Sequence, residues 1–178
     1  MRKINSVLSI AVLAVFILHM AVGSLLMAGI LPYIAFLLHT LSGTLILVAA
    51  AHTAVGAKLT CDTFAALKKS GASYIGDNLP FWIRRVSGLA VMLFVILHTA
   101  IFTDETGEPG RFDALRLICS ILLVLSVLLH IVTNIRPLMA GLGKRSFGKA
   151  VTIPALALSL LLLAAGAAFI VYFIKMSL

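Results

Sequence analysis

Ile83-Arg84-Arg85-Val86-Ser87-Gly88-Leu89-Ala90-Val91-Met92-Leu93-Phe94-Val95-Ile96-Leu97-His98-Thr99-Ala100 is the stretch that decides the class of this protein. Two arginines open a long apolar run, and one histidine stands inside it, thirteen residues past Arg85. An ionisable side chain at that depth in hydrocarbon is costly and generally functional. The pattern recurs along the chain. Apolar spans read at 7–28, 32–55, 83–102, 114–135 and 151–174, each near the ~20 residues that cross a bilayer core. The chain is 62% hydrophobic and 11% charged over 178 residues, with a mean hydropathy of +1.17. A soluble domain of this length could not bury that much apolar surface. Continuous apolarity predicts helices, whose backbone groups are satisfied internally, whereas a membrane barrel needs shorter alternating segments. The expected fold is therefore all-α: one transmembrane domain, 1–178, of five helices.

Charge orients the bundle. Arg2 and Lys3 precede the first span; Lys58, Lys68, Lys69, Arg84 and Arg85 lie around the 2–3 connection; Arg136, Lys144, Arg145 and Lys149 lie around the 4–5 connection. These are eleven of the 14 basic residues. Arg111, Arg116 and Lys175 fall on the other side, with Asp104, Glu105, Glu108 and Asp113. The positive-inside rule puts the N-terminus in the cytoplasm and the C-terminus outside, which suits the inner (cytoplasmic) membrane of a cell. The net charge of +8 follows from topology and requires no nucleic acid.

The N-terminus has the look of a secretory signal, with a basic start, an apolar run and small residues near Gly23. Cleavage there would remove His19, so a retained first span is the expectation. Cys61 falls in a cytoplasmic connection and Cys119 in a span, so no disulfide is expected and Cys119 reads as a packing residue. The 56–82 connection contains Asp62 followed by a helix-favouring run to Lys69, read as a short surface helix starting at an Asp cap and broken by Gly71, Gly76 and Pro80. Gly107-Glu108-Pro109-Gly110 reads as an outer turn. No Gly-rich nucleotide loop is present.

Four histidines form two pairs with nearly equal spacing. His19 and His52 are 33 residues apart, and His98 and His130 are 32 apart. Ser42-Gly43 precedes His52-Thr53-Ala54, as Ser87-Gly88 precedes His98-Thr99-Ala100. Counting along the spans puts His19 and His98 at one outer level and His52 and His130 at an inner one, roughly 10 Å apart at ~1.5 Å per residue. Each level draws its two histidines from spans running in the same direction, as a repeated two-helix unit would. Neutral imidazole is a leading haem-iron ligand, so the first four helices are expected to surround two bis-histidine haems. Packing, zinc binding and proton transfer compete with this reading, but the spans carry no carboxylates. His39, thirteen residues before His52, could replace His19 as an outer ligand. The second half has no counterpart near Leu117, so symmetry favours His19. Contact with a haem propionate or quinone, or interfacial packing, is left to His39. Arg84, Arg85 and Arg136 set topology and are candidates to pair with propionates. Ser42-Gly43 and Ser87-Gly88 suit close helix packing, with Ser87 also a candidate propionate or quinone contact.

The stretch from Asn78 through Pro80-Phe81-Trp82-Ile83-Arg84-Arg85-Val86-Ser87-Gly88, followed by Leu93-Phe94 and His98, resembles the signature entering the third span of a known family. That family is the five-span di-haem cytochrome b subunit of succinate:quinone oxidoreductases and quinol:fumarate reductases. His52-Thr53-Ala54-Val55-Gly56 resembles its His-Ala-x-x-Gly motif, and His130-Ile131-Val132-Thr133-Asn134 with Gly141-Leu142-Gly143 is a third match. The resemblance covers most of the chain. It implies that His19/His98 and His52/His130 carry two haems b. It also implies that an FAD-containing flavoprotein and an iron–sulfur subunit dock on the cytoplasmic face, and that electrons pass to or from a membrane quinone such as menaquinone. The chain itself would be the anchor and conduit of a respiratory enzyme, without a dicarboxylate site. Leu128 stands where some fumarate reductase relatives carry a glutamate, which argues against a glutamate-based proton pathway. The rival readings are the cytochrome b subunit of a hydrogenase or formate dehydrogenase, and a non-redox membrane scaffold or transporter.

Overall fold

In the computed structural model, which describes residues 1–71, 78–103, 113–143 and 149–177, every regular element is a helix. They are α1 (Arg2–Met27), α2 (Ala35–Ser70), α3 (Leu79–Thr103), α4 (Asp113–Gly141) and α5 (Lys149–Ser177). Four of them are long and apolar enough to cross a membrane; in α5 the apolar stretch found among the described residues is Leu156–Tyr172. Large apolar side chains point outward, with Phe36 83% and Leu89 71% exposed. A surface this apolar needs lipid around it, so the chain is a helical, multi-pass membrane protein.

Local chemistry sets the helix ends. After α1, Gly29 adopts φ +75°, its N–H donates to the Leu26 carbonyl, and the Ile30 N–H donates to Leu25. This paired 5→2 and 6→1 closure is the Schellman motif, whose left-handed position favours glycine. It reverses the chain within a few residues, so α1 and α2 form a tight hairpin. Asn78 caps α3: its Oδ1 accepts the Phe81 N–H at 3.1 Å. Pro80 then occupies the first turn, where its missing N–H costs nothing.

Two sequence expectations change. The 56–82 connection does not begin with a separate surface helix. α2 runs unbroken through Gly56 to Ser70, 36 residues or about 54 Å, well beyond the ~30 Å hydrocarbon core. Asp62 is not a cap but a mid-helix residue, paired with Lys58 one turn earlier at 3.2 Å. A lone glycine costs a helix only about 1 kcal/mol, and the first residue here with left-handed backbone is Gly71 at φ +64°, where α2 stops. Likewise α4 continues past the expected end at 135, through Pro137, to Gly141. The expected breaks at Gly76 and at Gly107-Glu108-Pro109-Gly110 lie outside the described residues.

α1 packs on α2, α3 on α4, and α5 on α4 and α1; α1 and α4 also meet. Gly141 makes that meeting possible, since a Cβ there would collide with Ser6 Oγ. The buried apolar cluster of Met20, Val127, Leu158, Leu162 and Ala165 belongs to α1, α4 and α5. On the opposite side α2 and α3 do not pack backbone to backbone among the described residues. Side chains bridge them instead: Thr53 Oγ1 reaches Met92 Sδ at 3.4 Å, and Phe64 meets the rings of Phe81 and Trp82. The two hairpins are closed along α1–α4 under α5 and held apart along α2–α3. Cys61 is exposed and Cys119 buried, both as free thiols.

Candidate functional site

Each of the first four helices brings one half-buried histidine to the site. α1 and α3 lie on one diagonal of the four-helix arrangement, and α2 and α4 on the other, with no backbone packing along either among the described residues. His19 and His98 stand within electrostatic reach of each other across the first diagonal. His52 and His130 do so across the second. His98 is thus near His19, and His130 near His52. His39 is apart from them, exposed at the fifth residue of α2.

Each histidine of the inner pair touches a serine on the adjacent antiparallel helix. Ser87 Oγ lies 3.1 Å from His130 Nδ1 and Ser9 Oγ lies 3.5 Å from His52 Nδ1; both serines stand 43 residues before their histidine. In the outer pair, Ser42 Oγ lies 3.5 Å from His19 Nδ1. The serine hydroxyls have local acceptors: Ser87 donates to the Arg84 carbonyl at 3.2 Å, and Ser9 to the Asn5 carbonyl at 2.8 Å. A hydroxyl has one proton to give. When that proton goes to the carbonyl, the oxygen is left to accept from an imidazole protonated on Nδ1; His130 also has the Arg84 carbonyl within reach. Asn134 Nδ2 donates one N–H to the His130 carbonyl at 2.8 Å and has its second N–H near the same His130 nitrogen, at 3.4 Å.

Small residues make room for this. A Cβ on Gly88 would stand 3.1 Å from His130 Cε1, so α3 offers its glycine to the imidazole itself. Gly43 has open space at the corresponding position, and the Ser42-Gly43 and Ser87-Gly88 echo does not describe equivalent surroundings. Ser87 is 1% exposed and its hydroxyl is held by the contacts above. Arg85 lies near His130 and places its guanidinium over the Phe81 ring, 5.1 Å from the centroid. Its buried Nε makes no hydrogen bond among the described residues. Arg84 is half-buried and Arg136 exposed. On the outer level, Phe169 of α5 meets the His98 ring edge-on at 6.4 Å between centroids.

Sequence reasoning overlooked Ser9 and Ser120. A simple signal was available. A serine stands ten residues before His19, His52 and His130, and eleven before His98: Ser9, Ser42, Ser120 and Ser87. Ser120 is 2% exposed and takes in α4 the position that Ser42 takes in α2. The regularity was obscured because serine is common in membrane helices as a packing residue.

The donor sets suit a macrocyclic iron better than a bare ion. A structural or catalytic zinc takes three or four protein ligands, and among the described residues no three His, Cys, Asp or Glu side chains converge on a point. Haem iron already has four ring nitrogens and needs at most two axial ligands from the protein; each level offers two imidazoles. The buried Arg85 Nε is a charge-assisted donor of the kind a propionate takes. Compared with protein-family models, with curated proteins and with solved structures, the chain returns no match.

Proposed function

We propose that this chain is the membrane-anchoring, di-haem cytochrome b subunit of a succinate dehydrogenase or fumarate reductase complex. It passes electrons between a cytoplasmic iron–sulfur subunit and a membrane quinone of the menaquinone type, and it does not itself bind the dicarboxylate. The observation that carries the reading is the pairing of His19 with His98 and of His52 with His130 across the two diagonals. His19/His98 would hold an outer haem and His52/His130 an inner one, with Arg85 beside the inner site. Bound there, haem supplies one-electron carriers at two depths of the bilayer. The chain's own residues orient the axial nitrogens, keep the surroundings apolar and place cations at the cytoplasmic edge. The motif resemblance supplies the partners: an FAD-bearing flavoprotein and an iron–sulfur subunit on the cytoplasmic connections. α5 completes the five spans, and the α1–α2 and α3–α4 hairpins are the two copies of the repeat. The exposed place of His39 speaks against the shared-helix ligand pattern of a hydrogenase or formate dehydrogenase cytochrome b.

A reduced-minus-oxidised spectrum of the purified protein, with haem quantified against chain, tests the reading. Two haems b per chain are expected, with flavin and iron–sulfur subunits co-purifying. Absence of haem overturns it, and a nickel- or molybdenum-containing partner assigns the chain to a different respiratory complex.

A further inference from the structure

The serine contacts follow one rule. In the first hairpin, residues 9 and 52 touch, as do 19 and 42; both pairs have the same sum of residue numbers, as two antiparallel helices in one register require. Serine and histidine ten residues apart on one helix are displaced by roughly 80° around its axis. α1 and α2 can therefore each turn a histidine toward the bundle interior while turning a serine toward the histidine of the hairpin partner; on α3 Ser87 and His98 are eleven residues apart and lie on nearly the same face. The second hairpin repeats the inner contact at the same 43-residue separation, Ser87 with His130. The spacing is preserved although the surrounding residues differ, and the hydroxyl protons of Ser9 and Ser87 are directed into their own helices.

We infer that Ser9 and Ser87 are positioning residues that accept a hydrogen bond from Nδ1–H of His52 and His130. They thereby fix the imidazole tautomer and ring angle, and leave each Nε2 lone pair facing the space between the hairpins. This rests on the haem reading for its purpose but not for its geometry. An Nδ1–H that donates to an oxygen makes the other ring nitrogen a stronger electron donor and holds the ring in plane for its ligand. A stronger axial donor stabilises ferric over ferrous iron, so these hydroxyls lower the potential of the haem they serve.

The test uses the full-length purified protein and the variants Ser9→Ala, Ser9→Thr and Ser87→Ala. If the wild type carries haem, redox titration of Ser9→Ala and Ser87→Ala should show the inner haem at a higher midpoint potential with a changed low-spin signal. The outer haem should be unmoved, and Ser9→Thr, which keeps the hydroxyl, should restore the wild-type value. Unchanged inner potential and signal in both alanine variants overturns the inference while leaving the haem reading intact. If the wild type carries no haem, the functional reading fails, and nitrogen-15 spectra of the imidazoles decide the inference alone. His52 and His130 protonated on Nδ1 in the wild type, shifting toward Nε2 in the alanine variants, supports it. Protonation on Nε2 in the wild type overturns it. Ser9→Ala, at a half-buried position, keeps the test open should Ser87→Ala not fold.

Discussion

His130 is constrained from several sides. Ser87 meets its Nδ1, Gly88 lies against its ring and Asn134 takes its carbonyl. Little slack remains, so small changes here should have large local effects. Gly88→Ala forces a Cβ to within 3.1 Å of His130 Cε1; overpacking of this kind costs about 1–3 kcal/mol. The expected outcome is loss or weakening of the inner low-spin haem with the outer one retained, read from haem content and the low-spin spectrum. The ligand assignment is tested the same way. His52→Ala or His130→Ala should reduce haem from two per chain to one by removing the inner haem, and His19→Ala or His98→Ala by removing the outer. His39→Ala should keep both. If His39→Ala loses a haem and His19→Ala does not, the pairing is wrong.

At the scale of the element, α3 shows how an end can govern a site. The Asn78 cap starts the helix whose first turns carry Phe81, Arg84, Arg85, Ser87 and Gly88. Removing the cap with Asn78→Ala should lower stability by about 1 kcal/mol, visible as a small drop in the detergent melting temperature without loss of haem. The long α2 makes a contrasting prediction. The Lys58–Asp62 pair is more than half exposed on both sides and worth no more than about 1 kcal/mol, so Asp62→Ala should change the melting temperature barely at all. Had Asp62 been the cap of a separate helix, the loss would match that of Asn78→Ala. The sequence suggested a cap because Asp before a helix-favouring run is the usual signal. The signal is local, and it cannot tell the start of a helix from the middle of a longer one that crosses a polar boundary.

For the whole molecule, topology is the accessible test. The positive-inside rule predicts that the extension of α2 lies beyond the cytoplasmic face; Cys61 is exposed on it while Cys119 is buried. A membrane-impermeant maleimide should therefore label Cys61 in inverted vesicles and not in right-side-out ones, and should leave Cys119 unmodified in both. Labelling of Cys61 from outside reverses the orientation. The membrane class, the all-helical architecture of five helices and the break at Gly71 were legible along the chain. These depend on hydropathy, a fixed rise per residue and backbone sterics, all of which act along the chain. Only the tertiary structure decided that Gly88 faces an imidazole while Gly43 faces open space, that the apolar core gathers under α5, and that Ser9 belongs with His52 and Ser42 with His19. Those facts depend on the rotation and register of one helix against another. Rotation and register come from packing between residues distant in the chain, and in a helix apolar on all sides the hydrophobic pattern carries no record of which face turns inward.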